Sequence, residues 1–326
     1  LIGFIGVFLQ YMSGWAAIQS FWVYLAGAFT AGFCMCMLNT VVNPMLNTLG
    51  GGGNKGNQLV QFGGVCNSLA AVLVTIIMGS LIADATKAQI ADATPALMIA
   101  LGVFAFAFLV LLLVKIPEPA QENEGDKAKD KKYSAFSFRH FNLGILAIFL
   151  YMGVEVGVPT YVMQYLTTSL DATTPGLGIN ASIVGMIVAV YWLLMLVGRL
   201  LGGMIGGKVS SRAQITGVSV LCLVLVLLGM FLPTDVMVKM PGIDWATLTV
   251  MTAQVPVGVF ALILVGLCTS VMWGGIFNMA VEGLGKYTSI ASGAFMTMVC
   301  GGGILIPLQG KLADVFGNFQ MSYIVV

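Results

Sequence analysis

Apolar blocks of roughly 20 residues or more recur along this chain, each long enough to cross a hydrocarbon core about 30 Å thick as a helix. Inside such a core each backbone N–H and C=O must be paired within the protein, which makes the blocks helices. By length and hydropathy they fall at 21–46, 58–83, 95–114, 141–166, 183–203, 215–232, 255–281 and 290–312, with a partial helix at 1–15 and another beginning near residue 318. Charged residues are 8% of the 326 positions and hydrophobic ones 59%, whereas a soluble domain carries about 25% charged residues to cover its surface. The sequence therefore predicts an all-α integral membrane protein.

The formal charge of +1 excludes a nucleic-acid binder, which needs clustered cations to displace counterions from phosphates. Cys34, Cys36, Cys66, Cys222, Cys268 and Cys300 all lie inside apolar blocks. There a thiol acts as a small hydrophobe, so neither a disulfide framework nor a metal site is expected. The chain opens on Leu1 inside an apolar stretch, without a basic leader, and stops at Val326 as a new apolar run begins. Both ends are expected to be cut.

Residues 115–140 break the pattern. They hold six of the fourteen Lys and Arg residues and five of the thirteen acids, a solvated linker between an N-terminal transmembrane half at 1–114 and a C-terminal half at 141–326. Positive residues favour the cytoplasmic side. That puts the linker in the cytoplasm, and alternation places Lys55, Lys208, Arg212 and Lys286 with it and Lys87, Lys239 and Lys311 opposite. Asn43-Pro-Met-Leu-Asn-Thr-Leu-Gly50 also overlays Asn278-Met-Ala-Val-Glu-Gly-Leu-Gly285 at Asn, Leu and Gly, the pattern left by two parallel repeats. Six spans after the linker then imply six before it, two of them ahead of Leu1.

Glu155 stands near the middle of its span, where a carboxylate is costly and marks an ion or substrate path. Every other acid can be placed in a loop or near a helix end. Tyr151 lies one turn earlier on the same face, and Pro159 one turn later removes a backbone donor. Asn39 and Asn43 form one amide patch, and Gln61 and Asn67 another, with Asn278 on a later span; amides offer both donors and acceptors to a hydroxyl-rich ligand. Tyr191, Trp192 and Trp273 are aromatics whose faces suit the C–H face of a sugar. Arg199 sits towards the end of its span and is not expected to be the main anchor. Structural roles, helix-to-helix amide bonds and core packing, compete with each of these readings. The single histidine, His140, and the absence of paired acids argue against an enzyme.

Several strings resemble the fucose/glucose/galactose permease group of the major facilitator superfamily. They are Asn43-Pro44 with Leu49-Gly50, Tyr151-Met-Gly-Val-Glu155, Tyr191-Trp-Leu-Leu-Met-Leu-Val-Gly-Arg199, Val281-Glu-Gly-Leu-Gly-Lys-Tyr-Thr288, and Gly301-Gly-Gly-Ile-Leu-Ile-Pro307 with Gln309-Gly-Lys-Leu-Ala-Asp314. The resemblance implies the major facilitator fold, twelve spans in two six-helix halves, with the third to the start of the twelfth present here. It also implies alternating access and symport of a neutral glucose-, galactose- or fucose-like sugar with H+ or Na+. Asn39 stands where fucose-type members carry glutamate and glucose/galactose-type members glutamine, and Gly206 where the superfamily's gating loop carries aspartate.

The resulting expectation is a multi-pass carrier in a plasma (bacterial inner) membrane, a monomer with no cofactor beyond the coupling ion. Asn39, Asn43, Gln61, Asn67, Tyr151, Glu155, Tyr191, Trp192, Trp273 and Asn278 are its candidate substrate contacts, and Glu155 its coupling group. Alternatives are a carrier of another polar solute, such as a nucleoside or amino sugar, and a sensor that keeps the fold without transport.

Overall fold

A computed structural model describes residues 1–15, 17–51, 53–81, 90–114, 134–206, 208–244 and 249–326. Most of the linker, including Lys127 to Lys132, and Lys87 lie outside the described residues. Eight segments among the described residues are long and apolar enough to cross a membrane, six as single helices and two, Val257–Val281 and Ile290–Phe316, as pairs of shorter ones. The helices are α1 (Ile2–Ser13), α2 (Phe21–Leu49), α3 (Gly53–Leu81), α4 (Thr94–Leu113), α5 (Arg139–Thr167), α6 (Ala181–Ile205), α7 (Ser211–Phe231), α8 (Val257–Thr269), α9 (Met272–Val281), α10 (Thr288–Thr297) and α11 (Gly301–Phe316). The run expected to open a last span near residue 318 forms a short 3₁₀ turn, Met321–Val325.

Two expected spans are broken. Residues 255–281 form α8 and α9, which part at Ser270 and Val271, and 290–312 form α10 and α11 around a 3₁₀ turn at Met298–Cys300. Hydropathy cannot detect such breaks, because it averages over side chains whereas a break is a backbone event stabilised by partners elsewhere.

Between α7 and α8 the chain also forms a hairpin, β1 (Met237–Asp244) antiparallel to β2 (Thr249–Pro256), in register from Met237↔Pro256 to Asp244↔Thr249. Alternation of Met, Val and Thr suits a half-buried strand. Met240 opposite Ala253 turns inward, and Gly242 lets β1 close on Ile183 at the start of α6.

The residues form two compact units, 1–45 with 84–131, and 46–83 with 132–326. In the first, α1 meets α2 where Gly6 faces Ala31 and Gly27. In the second, α5 runs through the centre. Phe141, Ile148, Val158, Val162 and Leu166 on α5 are fully buried, as are Ile187, Tyr191 and Met195 of α6, Ile263 of α8, Phe277 of α9 and Phe295 of α10. In lipid this packing rests on close fit rather than on release of water, so small residues mark the crossings.

Gly301 marks one of the tightest of these crossings, because a Cβ there would meet the backbone carbonyl of Phe149 on α5. Gly301→Val is therefore expected to destabilise the second unit by about 1–3 kcal/mol through overpacking. Thermal denaturation in detergent measures this, and an unchanged midpoint would show that α11 is free to shift.

Candidate functional site

Three helices and one helix break converge on Glu155. Pro159 has no N–H, so the Glu155 carbonyl one turn earlier on α5 lacks its helical donor. The Tyr191 hydroxyl of α6 fills that place, donating to Glu155 O at 3.0 Å. The break after α8 frees a second acceptor, the Thr269 carbonyl, which takes the Tyr151 hydroxyl at 3.1 Å. Tyr191 Oη also lies 3.2 Å from Thr269 Oγ1. The kink and the break are thus satisfied by two tyrosines that meet at one threonine, as buried backbone groups require.

The carboxylate itself is paired. Arg199 Nη2 donates to Glu155 Oε1 at 3.3 Å, and both side chains are buried, 6% and 10% exposed. Arg199 Nη1 reaches a third helix, donating to the Gly64 carbonyl of α3 at 2.6 Å. Position along the sequence made Arg199 look peripheral, yet its long stem carries the charge back towards midspan. The signal was present: a guanidinium inside an apolar span needs an acid, and Glu155 is the available one.

Aromatic rings flank this centre. The Tyr151 and Trp273 rings are 6.3 Å apart, Trp273 packs edge-on against Phe295 at 6.1 Å, and Trp192 packs edge-on against Tyr191 at 5.2 Å. Trp192 and Trp273 are only partly buried, so each keeps some ring surface free.

A second polar group lies closer to the N-terminus of α3. Ser211 Oγ accepts from Asn57 Nδ2 and from Asn278 Nδ2, each at 3.2 Å, joining α3, α7 and α9. Gln58 Nε2 donates to the Gly203 carbonyl at 2.6 Å. Gln61 lies between the two groups, 3% exposed against Gly202 and Gly274, and neither of its carboxamide atoms has a hydrogen-bond partner. Burying such a group unpaired costs about 1–3 kcal/mol.

Asn67 is exposed on another side of α3, so Gln61 and Asn67 do not form the single patch the sequence suggested. Six residues turn a helix by about 240°, which separates them. In the first unit Asn39 and Asn43 do share a face of α2, where Asn43 Nδ2 donates to the Asn39 carbonyl at 3.1 Å. Sequence reasoning set Arg199 aside and passed over Thr269, Asn57 and Ser211. Thr269 acquires its role only through the break after α8.

An apolar cavity of about 1050 Å3 lies between α5, α7 and α9, lined by residues such as Ala147, Tyr151, Cys222, Val226 and Met272. Tyr151 links it to the Glu155 group.

Comparison with known proteins agrees with this architecture. A glucose/galactose transporter of Brucella abortus is 27% identical over 308 residues, covering 93% of this chain and 68% of the relative. A putative glucose/galactose transporter of Helicobacter pylori is 29% identical over 309 residues, 92% of this chain and 68% of the relative. An L-fucose-proton symporter of Escherichia coli is 22% identical over 339 residues, 95% and 70% of the two chains. The crystal structure of FucP, a major facilitator transporter in the outward conformation, matches 99% of this chain and 77% of its own with a TM-score of 0.73 at 20% identity, a likeness of fold. The Major Facilitator Superfamily model covers residues 1–307, and the chain, a multi-pass integral membrane protein, belongs to that superfamily.

Proposed function

We propose that the protein is a secondary carrier of a neutral hexose of the glucose, galactose or fucose type in a bacterial inner membrane. It works by alternating access, coupled to H+ or Na+ at Glu155. The observation that carries this reading is the Glu155 centre: an ionisable carboxylate held midspan, with aromatic rings and hydroxyls beside it. Sugar hydroxyls bond to carboxylates and amides, and the C–H face of the ring packs on Trp or Tyr. Tyr151, Tyr191, Trp192 and Trp273 are the aromatic contacts in this reading. Gln61 and Asn278 are the amide contacts of the second unit, and Asn39 and Asn43 offer the same chemistry on α2. The names and identities of the relatives support a glucose/galactose substrate ahead of fucose, in line with Asn39 on α2.

Counterflow of labelled solutes in proteoliposomes, with imposed proton or sodium gradients, tests the proposal. A free hexose should exchange, and one of the two gradients should drive its accumulation. Exchange of nucleosides, amino sugars or sugar phosphates in preference to free hexoses would overturn the substrate class, and exchange of nothing would point to a sensor.

A further inference from the structure

We infer that Arg199 is a state-dependent clamp: it locks α3 against α6 while Glu155 is ionised and releases α3 when a proton or sodium ion occupies Glu155. This rests on the proposed coupling role of Glu155. Arg199 divides its guanidinium between two elements, Nη2 on Glu155 of α5 and Nη1 on the Gly64 carbonyl of α3, while its own backbone belongs to α6. A planar fork can satisfy both only while the carboxylate and the carbonyl lie on its two sides. The charge on Glu155 thereby fixes the group that holds α3.

The seam it closes is built to part. From α6 it presents Gly202, Gly203 and Gly206, and from α3 Gln58, Gln61 and Phe62. Glycines allow close approach without interlocking side chains. Gln61 on α3 packs against Gly202 of α6 and is buried with both carboxamide atoms unpaired. Such groups gain water when the seam opens, so closure depends on Arg199 and on the Gln58 to Gly203 bond. When Glu155 is neutralised, Arg199 becomes an uncompensated buried cation, and the relief open to it is to turn towards water as α3 withdraws. By reciprocity, closing the seam expels the cation from Glu155.

Among the described residues, the titratable groups facing Glu155 are Arg199 and Tyr191 of α6 and Tyr151 of its own helix. α8 contributes Thr269, α9 and α10 have no charged residue, and the terminal 3₁₀ turn brings Tyr323 to the Val158 carbonyl. On α11, Lys311 is exposed and Asp314 accepts from Thr174. α3 brings Lys55, in its first turn, and Cys66, both exposed. Among the described residues, Glu155 is therefore the one carboxyl group at this position.

The test is cross-linking across the seam. A Cβ at Gly203 would lie about 3 Å from the Phe62 ring. Phe62→Cys with Gly203→Cys, joined by a short bifunctional thiol reagent and identified by peptide mass, reports the closed state with the native cysteines in place. Rates are normalised to a free cysteine peptide at each pH. Cross-linking should be fastest at alkaline pH without sodium and should fall about tenfold or more when acid or sodium neutralises Glu155. Adding Glu155→Gln should make it slow and insensitive to both, in protein that remains monodisperse. Arg199→Lys, which keeps the charge but not the fork, should also slow it. A Glu155→Gln variant that cross-links as fast as the parent under all conditions would overturn the clamp. The readout requires no sugar and no transport, so loss of the clamp and loss of the sugar assignment are separate results.

Discussion

Replacing Glu155 with glutamine is expected to abolish accumulation of solute against a gradient while leaving exchange across the membrane measurable. Glutamine has nearly the same shape and keeps hydrogen-bonding capacity towards a solute, but it neither binds a proton nor carries the charge that holds Arg199 or attracts sodium. A carrier driven by an ion gradient then loses its link to that gradient. The internal concentration should stop at the external one, whatever cation gradient is imposed, whereas counterflow continues because the aromatic and amide contacts remain. Uptake by proteoliposomes with and without an imposed gradient measures both. If the glutamine variant concentrates solute as well as the parent, Glu155 is structural and coupling resides elsewhere.

The second large effect is expected from Arg199→Leu. The parent pair is buried, with its charges 3.3 Å apart. Removing the guanidinium leaves a carboxylate without its counter-charge and the Gly64 carbonyl without its charged donor. Truncating one member of a buried pair costs about 3–5 kcal/mol, because the remaining charge stays desolvated. The variant should therefore unfold several degrees lower in detergent. Arg199→Leu combined with Glu155→Gln should regain most of that loss, since the double variant has no charge to strand. Equal midpoints for parent and single variant would show that the ion pair adds nothing to the fold. Equal losses in the single and double variants would show that Arg199 acts through packing or the Gly64 bond rather than through Glu155.

The sequence by itself determined that this is a membrane-spanning helical protein, where most of its spans lie, and that Glu155, Tyr151 and Tyr191 sit inside those spans. These follow from local properties: the length of an apolar run, the cost of one carboxylate within it, and the turn that joins residues 151 and 155. Only the tertiary structure decided that Glu155 is paired, that Gln61 is buried while Asn67 is exposed, and that residues 255–281 and 290–312 are broken. An ion pair between residues 44 positions apart leaves no periodic trace. At the break after α8 the freed Thr269 carbonyl is satisfied by Tyr151, 118 positions away. Composition sets what each segment must do in a bilayer, but the partner of a buried polar group is chosen by packing, which brings together residues that the sequence keeps apart.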